Sequence, residues 1–419
     1  MAKEGKTAVM PRLRFPDFQD APGWETAPLE EIAERITTKN ADGKVTRVLT
    51  NSAEYGILDQ HDYFDREIAT AGKVDSYYIV DAGDYVYNPR TSAIAPVGPI
   101  SRNNIGKGVM SPLYTVFRFA AEKTDFYEHF FRSAGWHAYV RNAASTGARH
   151  DRMSITTSAF MQMPVPIPDE SEQQKIADCL GSLDGLIAAQ GRKVEALKTY
   201  KRGLMQQLFP REGETRPRLR FPEFRDAPEW EETDLALLGE LVSGLTYSPD
   251  DVRESGLLVL RSSNVQNAEI VLEDNVYVTP NIKGANLVEP NDILICVRNG
   301  SKALIGKSAL IPEGMPLCTH GAFMTVFRAR APQFVFQLMQ SASFHKQVAA
   351  DLGATINSIN GGQLLKYRFV VPEPPEQQRI AEFLSSLDAQ IGSEAGKLAA
   401  LKIHKSGLMQ QLFPSLEDV

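Results

Sequence analysis

Two stretches of the chain place apolar residues in alternating steps of four and three. The first runs Ile176, Leu180, Leu183, Ile187, Val194, Leu197, Leu204 and Leu208, with Gln190 and Lys201 at the two remaining seam positions. The second runs Ile380, Leu384, Leu387, Ile391, Leu398, Leu401, Leu408 and Leu412, with Glu394 and Lys405 filling the pattern. A mean step of 3.5 residues is the period of a coiled coil rather than of a helix lying on a globular core. Pro168 and Pro372 precede the two stretches, and Pro210 and Pro414 follow them. Proline is tolerated ahead of a helix and cannot continue one. Each stretch therefore predicts a helix of about 38 residues, roughly 57 Å long.

A single stripe of this kind would be exposed, so the two helices are expected to pack on each other. An antiparallel pair in full overlap sets Ile176 near Leu412, Leu208 near Ile380, Gln190 near Leu398 and Val194 near Glu394. Polar seam residues of this kind set register at some cost in stability. The other arrangement open to the sequence is that each helix meets a partner chain.

Elsewhere the pattern is shorter. "KVTRVLTNS", "DSYYIVD", "GDYVYN" and "LYTVFRF" read as strands, followed by a helix near 125–143. "LLVLRSS", "NVYVT", "DILICV" and "FMTVFRA" read as strands, followed by a helix near 332–352. Strands with a late helix predict a mixed α+β module, twice.

The two halves are copies of one frame. "GLMQQLFP" occurs at 203–210 and again at 407–414. "PRLRFPDFQDAPGW" (11–24) returns as "PRLRFPEFRDAPEW" (217–230), identical at 11 of 14 positions and offset by 206. "EQQKIADCLGSLD" (172–184) returns as "EQQRIAEFLSSLD" (376–388), offset by 204. A period this long means two domain-sized units rather than a solenoid. The middles, 25–165 and 231–369, share only "TVFR" and a late glycine, Gly147 and Gly353. Uniform drift of a duplicated structural domain would not spare the edges so sharply. The expected layout is an N-terminal segment (1–23), a first module (24–168), a central helix (169–210), a linker (211–229), a second module (230–372), a C-terminal helix (373–414) and a tail (415–419). Two mixed α/β modules joined by an antiparallel pair of long helices form a pseudo-two-fold tandem repeat.

Composition adds little until it is read locally. The net charge of −7 argues on its face against nucleic acid. Yet 85–168 holds 9 bases against 4 acids, and 293–371 holds 8 against 2. Each module thus carries a basic second half, and local field matters more than net charge. A solvated face balanced by an acidic first half is the competing explanation. The basic stretches mix Arg, Lys, Asn and Ser with Gly and Pro turns, the residue types that meet phosphates and base edges from loops. Candidates in the first module are Arg90, Arg102, Asn103, Asn104, Lys107, Arg141, Arg149 and Arg152. Those in the second are Arg298, Asn299, Ser301, Lys302, Lys307, Asn357, Ser358 and Asn360. Cys179, Cys296 and Cys318 are far apart and odd in number, which argues against a disulfide framework or a zinc site. With no apolar leader and no apolar run near 20 residues, a cytoplasmic protein without membrane contact is expected.

Taken together, "PIPDESEQQKIADCLGSLD…GLMQQLFP", its repeat "PEPPEQQRIAEFLSSLD…GLMQQLFP", "NDILICVRNGSKALIGKSALIPEG" and "GATINSINGGQLLKYRFVVPEPPEQQ" resemble the specificity subunits of type I restriction-modification enzymes. The resemblance covers nearly the whole chain. It implies that each module is a target-recognition domain reading one half of an asymmetric, split DNA site. It implies that the helices set the gap and receive two methyltransferase subunits, which restriction–translocation subunits join. The chain itself would be non-catalytic and bind no cofactor. S-adenosylmethionine, ATP and magnesium would belong to the partners.

Two other classes compete. A DNA methyltransferase-type enzyme needs an N/D-P-P-aromatic motif, and the nearest match, "YNPR" (87–90), lacks the second proline and the aromatic. No Walker A loop and no H-E-x-x-H is present, and "EALK" (195–198) lies on the helical repeat. A protein-binding adaptor on the same duplicated frame is the other alternative.

Overall fold

The computed structural model describes residues 8–63, 74–145, 151–352 and 357–415. The chain divides into two compact units, one formed by 1–190 with 397–419 and the other by 191–396. Each unit contains one module and one end of each long helix. The boundary therefore runs through the helices. The reason is packing. Ile176, Leu180 and Leu412 are buried in the core of the first module, and Leu208, Ile380 and Leu384 in that of the second.

The helices span Glu170–Leu208 and Pro374–Leu412. All twenty seam positions are buried or half-buried, whereas residues between them, such as Leu186 and Ile403, are exposed. In each unit the helix ends run antiparallel, since residues near the start of one share a core with residues near the end of the other. Polar seam residues are paired. Lys201 contacts Asp388 at 2.6 Å in the second unit, and Lys405 contacts Asp184 in the first. Lys193 meets the buried carboxylate of Glu394 at 3.0 Å.

The repeated edge motifs meet at the helix starts, and the contacts explain why E-Q-Q recurs. Glu172 is buried and accepts from Arg14 of "PRLRFP" through Nε (2.7 Å) and Nη2 (2.6 Å), and from Trp24 Nε1 (2.9 Å). Glu376 accepts from Arg220 in the same way at 2.8 and 2.6 Å. The next glutamine turns back to satisfy the carbonyl left by the preceding proline: Gln173 donates to Pro168 at 2.9 Å and Gln377 to Pro372 at 2.8 Å. The third residue supports the helix surface, Gln174 with Asp178 and Gln378 with Glu382, an i,i+4 pair in each case. "PRLRFP" is also tied to the far helix end, by Leu13 N–H to Gln411 O (3.0 Å) and Leu219 N–H to Gln207 O (2.9 Å). The 211–229 linker is thus a docked segment.

The unlike middles share one four-stranded sheet, with the same strand order in each. In the first unit a four-stranded antiparallel sheet has the order Ala33–Ile36, Thr115–Phe119, Tyr85–Tyr87, Ile100–Arg102. In the second the order is Gly239–Ser243, Met324–Ala329, Ile293–Cys296, Ser308–Leu310. The strand entering each module pairs with the strand leaving it, Glu25–Pro28 with Pro164–Ile167 and Glu231–Asp234 with Arg368–Val371. The shared "TVFR" lies on an inner strand of each sheet. Its arginine holds a buried turn aspartate: Arg118 grips Asp84 at 2.6 and 3.0 Å, and Arg328 grips Asp292 at 2.9 and 2.8 Å. Two bases of the apparently free positive charge are therefore structural.

Each predicted late helix is two helices. They are Asp125–Arg132 and His137–Ala143 in the first unit, and Pro332–Met339 and Ala342–Asp351 in the second. Gly135 marks one break, where a Cβ would meet the Pro414 carbonyl at 2.7 Å. Ser341 marks the other by capping the helix that follows, accepting from the Phe344 N–H. No helix among the described residues is long and apolar enough to cross a membrane.

Candidate nucleic-acid interface

The candidate residues separate by what their side chains already hold. Several close their own loops. Asn103 is fully buried, donates to the carbonyls of Asp81 (2.9 Å) and Gly106 (2.8 Å) and accepts from Ile105 N–H. Asn360 caps a short helix by accepting from Gly362 N–H at 2.8 Å. Lys307 donates into the turn carbonyls of Ser262 and Val265. Arg102 is paired with Asp125 (2.7 Å) and Glu128 (3.6 Å), and Asn104 donates to Glu128. Lys107 lies 3.3 Å from Asp81, with both side chains about half exposed. Arg149 lies outside the described residues.

A second group faces outward on a shared scaffold. In the first unit Arg90 forms an isolated bridge with Arg152, and Met153 N–H donates to Pro89 O at 2.8 Å. In the second, Arg298 forms the same bridge with Ser358, and Ile359 N–H donates to Val297 O at 2.8 Å. Arg90 and Arg298 therefore occupy one structural position, just past the third strand of the module sheet, although the sequences around them differ. Arg90 is 67% exposed, with Asp151 at the 4.0 Å limit of an ion pair. Arg298 is exposed, and no carboxylate among the described residues pairs with it. Its guanidinium lies 5.5 Å from the ring centre of Phe323.

The neighbours of Arg298 form a polar rim. Asn299 donates to Ser262 Oγ (3.0 Å) and accepts from Ser301 N–H (3.0 Å). Asn357 donates to Gly300 O at 3.0 Å. Ser301 and Lys302 are exposed on the same loop, as is Arg141 on the short helix of the first module. The arrangement offers cations and amides on hydrogen-bonded loops, a geometry suited to phosphates and base edges.

Sequence reasoning missed Phe323. The strand pattern "FMTVFRA" absorbs it, yet the strand begins at Met324 and Phe323 lies outside, 58% exposed. Leu113, at the same place before "TVFR" in the first module, is 63% exposed. The cysteines are unpaired thiols. Burial pushes the Cys318 thiol up to about 11, far from a reactive thiolate. Among the described residues no cluster of His, Cys, Asp or Glu could hold a metal ion.

Residues 228–402 match the family described as "Type I restriction modification DNA specificity domain". The StySPI specificity subunit of Salmonella potsdam is 28% identical over 179 residues, 40% of this chain and 38% of the relative. The EcoKI specificity subunit of Escherichia coli (strain K12) is 29% identical over 174 residues, 39% and 37% of the two chains. The alignments thus span about two fifths of the length of these two relatives. The MjaVIII specificity subunit of Methanocaldococcus jannaschii is 27% identical over 276 residues, 64% of each chain. In structure, the type I S subunit from M. genitalium superposes with a TM-score of 0.57 at 13% identity, covering 97% of this chain and all of that one. That likeness is one of fold. These three sequence relatives are all type I restriction enzyme specificity subunits, and residues 228–402 of this chain match the DNA specificity domain of that family.

Proposed function

We propose that the chain selects the DNA site of a type I restriction-modification complex, each module reading one half of an asymmetric split target. The observation that carries the reading is the equivalence of Arg90 and Arg298. Two modules that share one sheet order hold an exposed arginine at the same place, and the loops around it differ. A homodimer reads a palindrome because its halves are identical. A two-copy frame with unlike modules reads two unlike half-sites.

In this reading the long helices set the unread gap and receive two methyltransferase subunits, with restriction–translocation subunits joining the assembly. The chain contributes recognition and no chemistry. S-adenosylmethionine, ATP and magnesium belong to the partner subunits, and the complex works in the cytoplasm. The acidic halves of the modules do not oppose DNA binding, because part of their charge is spent internally, as in Asp84 and Asp292.

The test is co-expression with the methyltransferase of the same system, followed by mapping of methylated adenines. The expected result is methylation confined to a bipartite sequence with two different halves. Methylation independent of this chain would overturn the reading and favour the protein-binding adaptor.

A further inference from the structure

Single exposed apolar residues are common on protein surfaces and by themselves mean nothing. Phe323 differs in how it is held. Its carbonyl accepts two amides, Val297 N–H and Arg298 N–H, both at 3.1 Å. The residues beside it are tied as firmly: Gly321 N–H donates to Leu260 O (3.0 Å), Ala322 N–H to Leu245 O (2.9 Å) and Met324 N–H to Gly321 O (2.8 Å). The turn also approaches the backbone at Gly244 too closely for a side chain there, since a Cβ on Gly244 would lie 2.4 Å from Gly321 O. An aromatic ring is thus presented to solvent on a backbone with little freedom, at a cost in apolar exposure that folding alone does not require.

The ring is also paired. Arg298 stacks over it at 5.5 Å, a cation–π contact that fixes where the guanidinium points. A ring with one face occupied in this way cannot slide between two base pairs. What it still offers is an apolar edge beside a guanidinium. In the major groove a guanidinium pairs with guanine O6 and N7, and the apolar feature of that groove is the C5-methyl of thymine. The first module repeats the placement with Leu113, apolar and exposed two residues before "TVFR".

We propose that Phe323 is a specificity-determining residue of the second module, its ring edge meeting the C5-methyl of a thymine adjacent to the base read by Arg298. The inference rests on the DNA-recognition function proposed above. Phe323 supplies shape selection for one thymine and, through the stack, orients Arg298 for its neighbour. Preorganising both groups before binding lowers the ordering cost on association.

The experiment uses the complex assembled with its methyltransferase subunits and a duplex carrying the mapped target. Each thymine of the half-site read by 231–369 is replaced singly by uracil, which deletes only the methyl group. Kd is measured for the wild type, Phe323→Ala and Phe323→Leu. One thymine-to-uracil change should weaken wild-type binding about fourfold, the value of one buried methyl. The same change should leave Phe323→Ala binding unaltered, and Phe323→Leu should retain part of the effect. Thymines of the other half-site should show no coupling in any variant. A wild type that prefers its target but has no thymine coupled to Phe323, including a half-site without thymine, overturns the Phe323 assignment alone. A wild type with no preference for the mapped target over a scrambled duplex overturns the recognition function, and this inference with it.

Discussion

Replacing Glu172 by glutamine removes the charge at the joint between helix and module. The Arg14 and Glu172 side chains are 8% and 1% exposed, so water cannot compensate either ion. Glutamine can accept at one oxygen only, where the carboxylate takes two bonds from Arg14 and one from Trp24. Arg14 keeps its bond to Ala21 O at 2.6 Å and loses its counter-charge. Breaking one partner of a buried pair costs about 3–5 kcal/mol, so about 4 kcal/mol is expected for the first unit. Glu376→Gln in the second unit should cost roughly 1–2 kcal/mol less. Arg220 there has two further carbonyl partners, Ala227 and Pro228, and Trp230 Nε1 makes no hydrogen bond among the described residues. The assay is urea unfolding followed by tryptophan fluorescence. In a Trp230→Phe background the signal comes from Trp24 and Trp136, both buried in the first unit. A loss below about 1 kcal/mol for Glu172→Gln would refute the claim that this ion pair fastens helix to module.

Three further outcomes are expected. Inserting seven residues after Gln190 and seven after Glu394 keeps the heptad phase and lengthens each helix by about 10.5 Å. The gap between methylated half-sites should grow by roughly three base pairs with both halves unchanged, and an unchanged gap would remove the helices as the ruler. Joining Val419 to Met1 and opening the chain at Gly213 should give a permutant that folds and directs methylation of the same site. Leu13 already bonds to Gln411, and Gly213 sits in an exposed turn, whereas Thr215 is tied to Trp230 and Glu229; a folded permutant with a changed site would contradict this. His129 is held near pKa 4 by burial, with Lys405 and Arg132 reinforcing and Asp184 and Asp125 opposing. Its folded value lies below the ordinary 6.5, so the unfolded chain binds the extra proton and stability falls as pH drops from 6.5 towards 4, by at most about 3 kcal/mol. His129→Gln, chosen to mimic Gln337 beside Asp388 in the other unit, should flatten the loss of thermal stability across that window; an unchanged slope would assign it to other groups.

The helices were legible because a coiled-coil seam is a local, one-dimensional pattern, and each heptad position predicted is buried or half-buried. The frame was legible because it is written twice. The outer strand pairs were not, since "ETAP" and "PVPI" are proline-rich and pair across about 140 residues. The helix breaks at 133–136 and 340–341 were hidden by continuous apolar patterns. Among site residues, the limit was chemical. Asparagine and lysine close turns with the same groups that read bases, so Asn103, Asn360 and Lys307 looked like Arg298 until their hydrogen bonds were seen. One signal was available: an aspartate stands immediately before the third strand of both module sheets, at Asp84 and Asp292, and the shared "TVFR" arginine is its partner. Phe323 left no such signal, because an exposed aromatic and a strand aromatic are the same letter.

The most direct test of independent half-site reading is to replace residues 231–369 with the corresponding module of a type I specificity subunit and to map methylated adenines in cells that supply the methyltransferase. One half-site should acquire a new sequence, with the other half-site and the gap retained. A change in both half-sites, or in neither, would contradict the division of recognition between two modules.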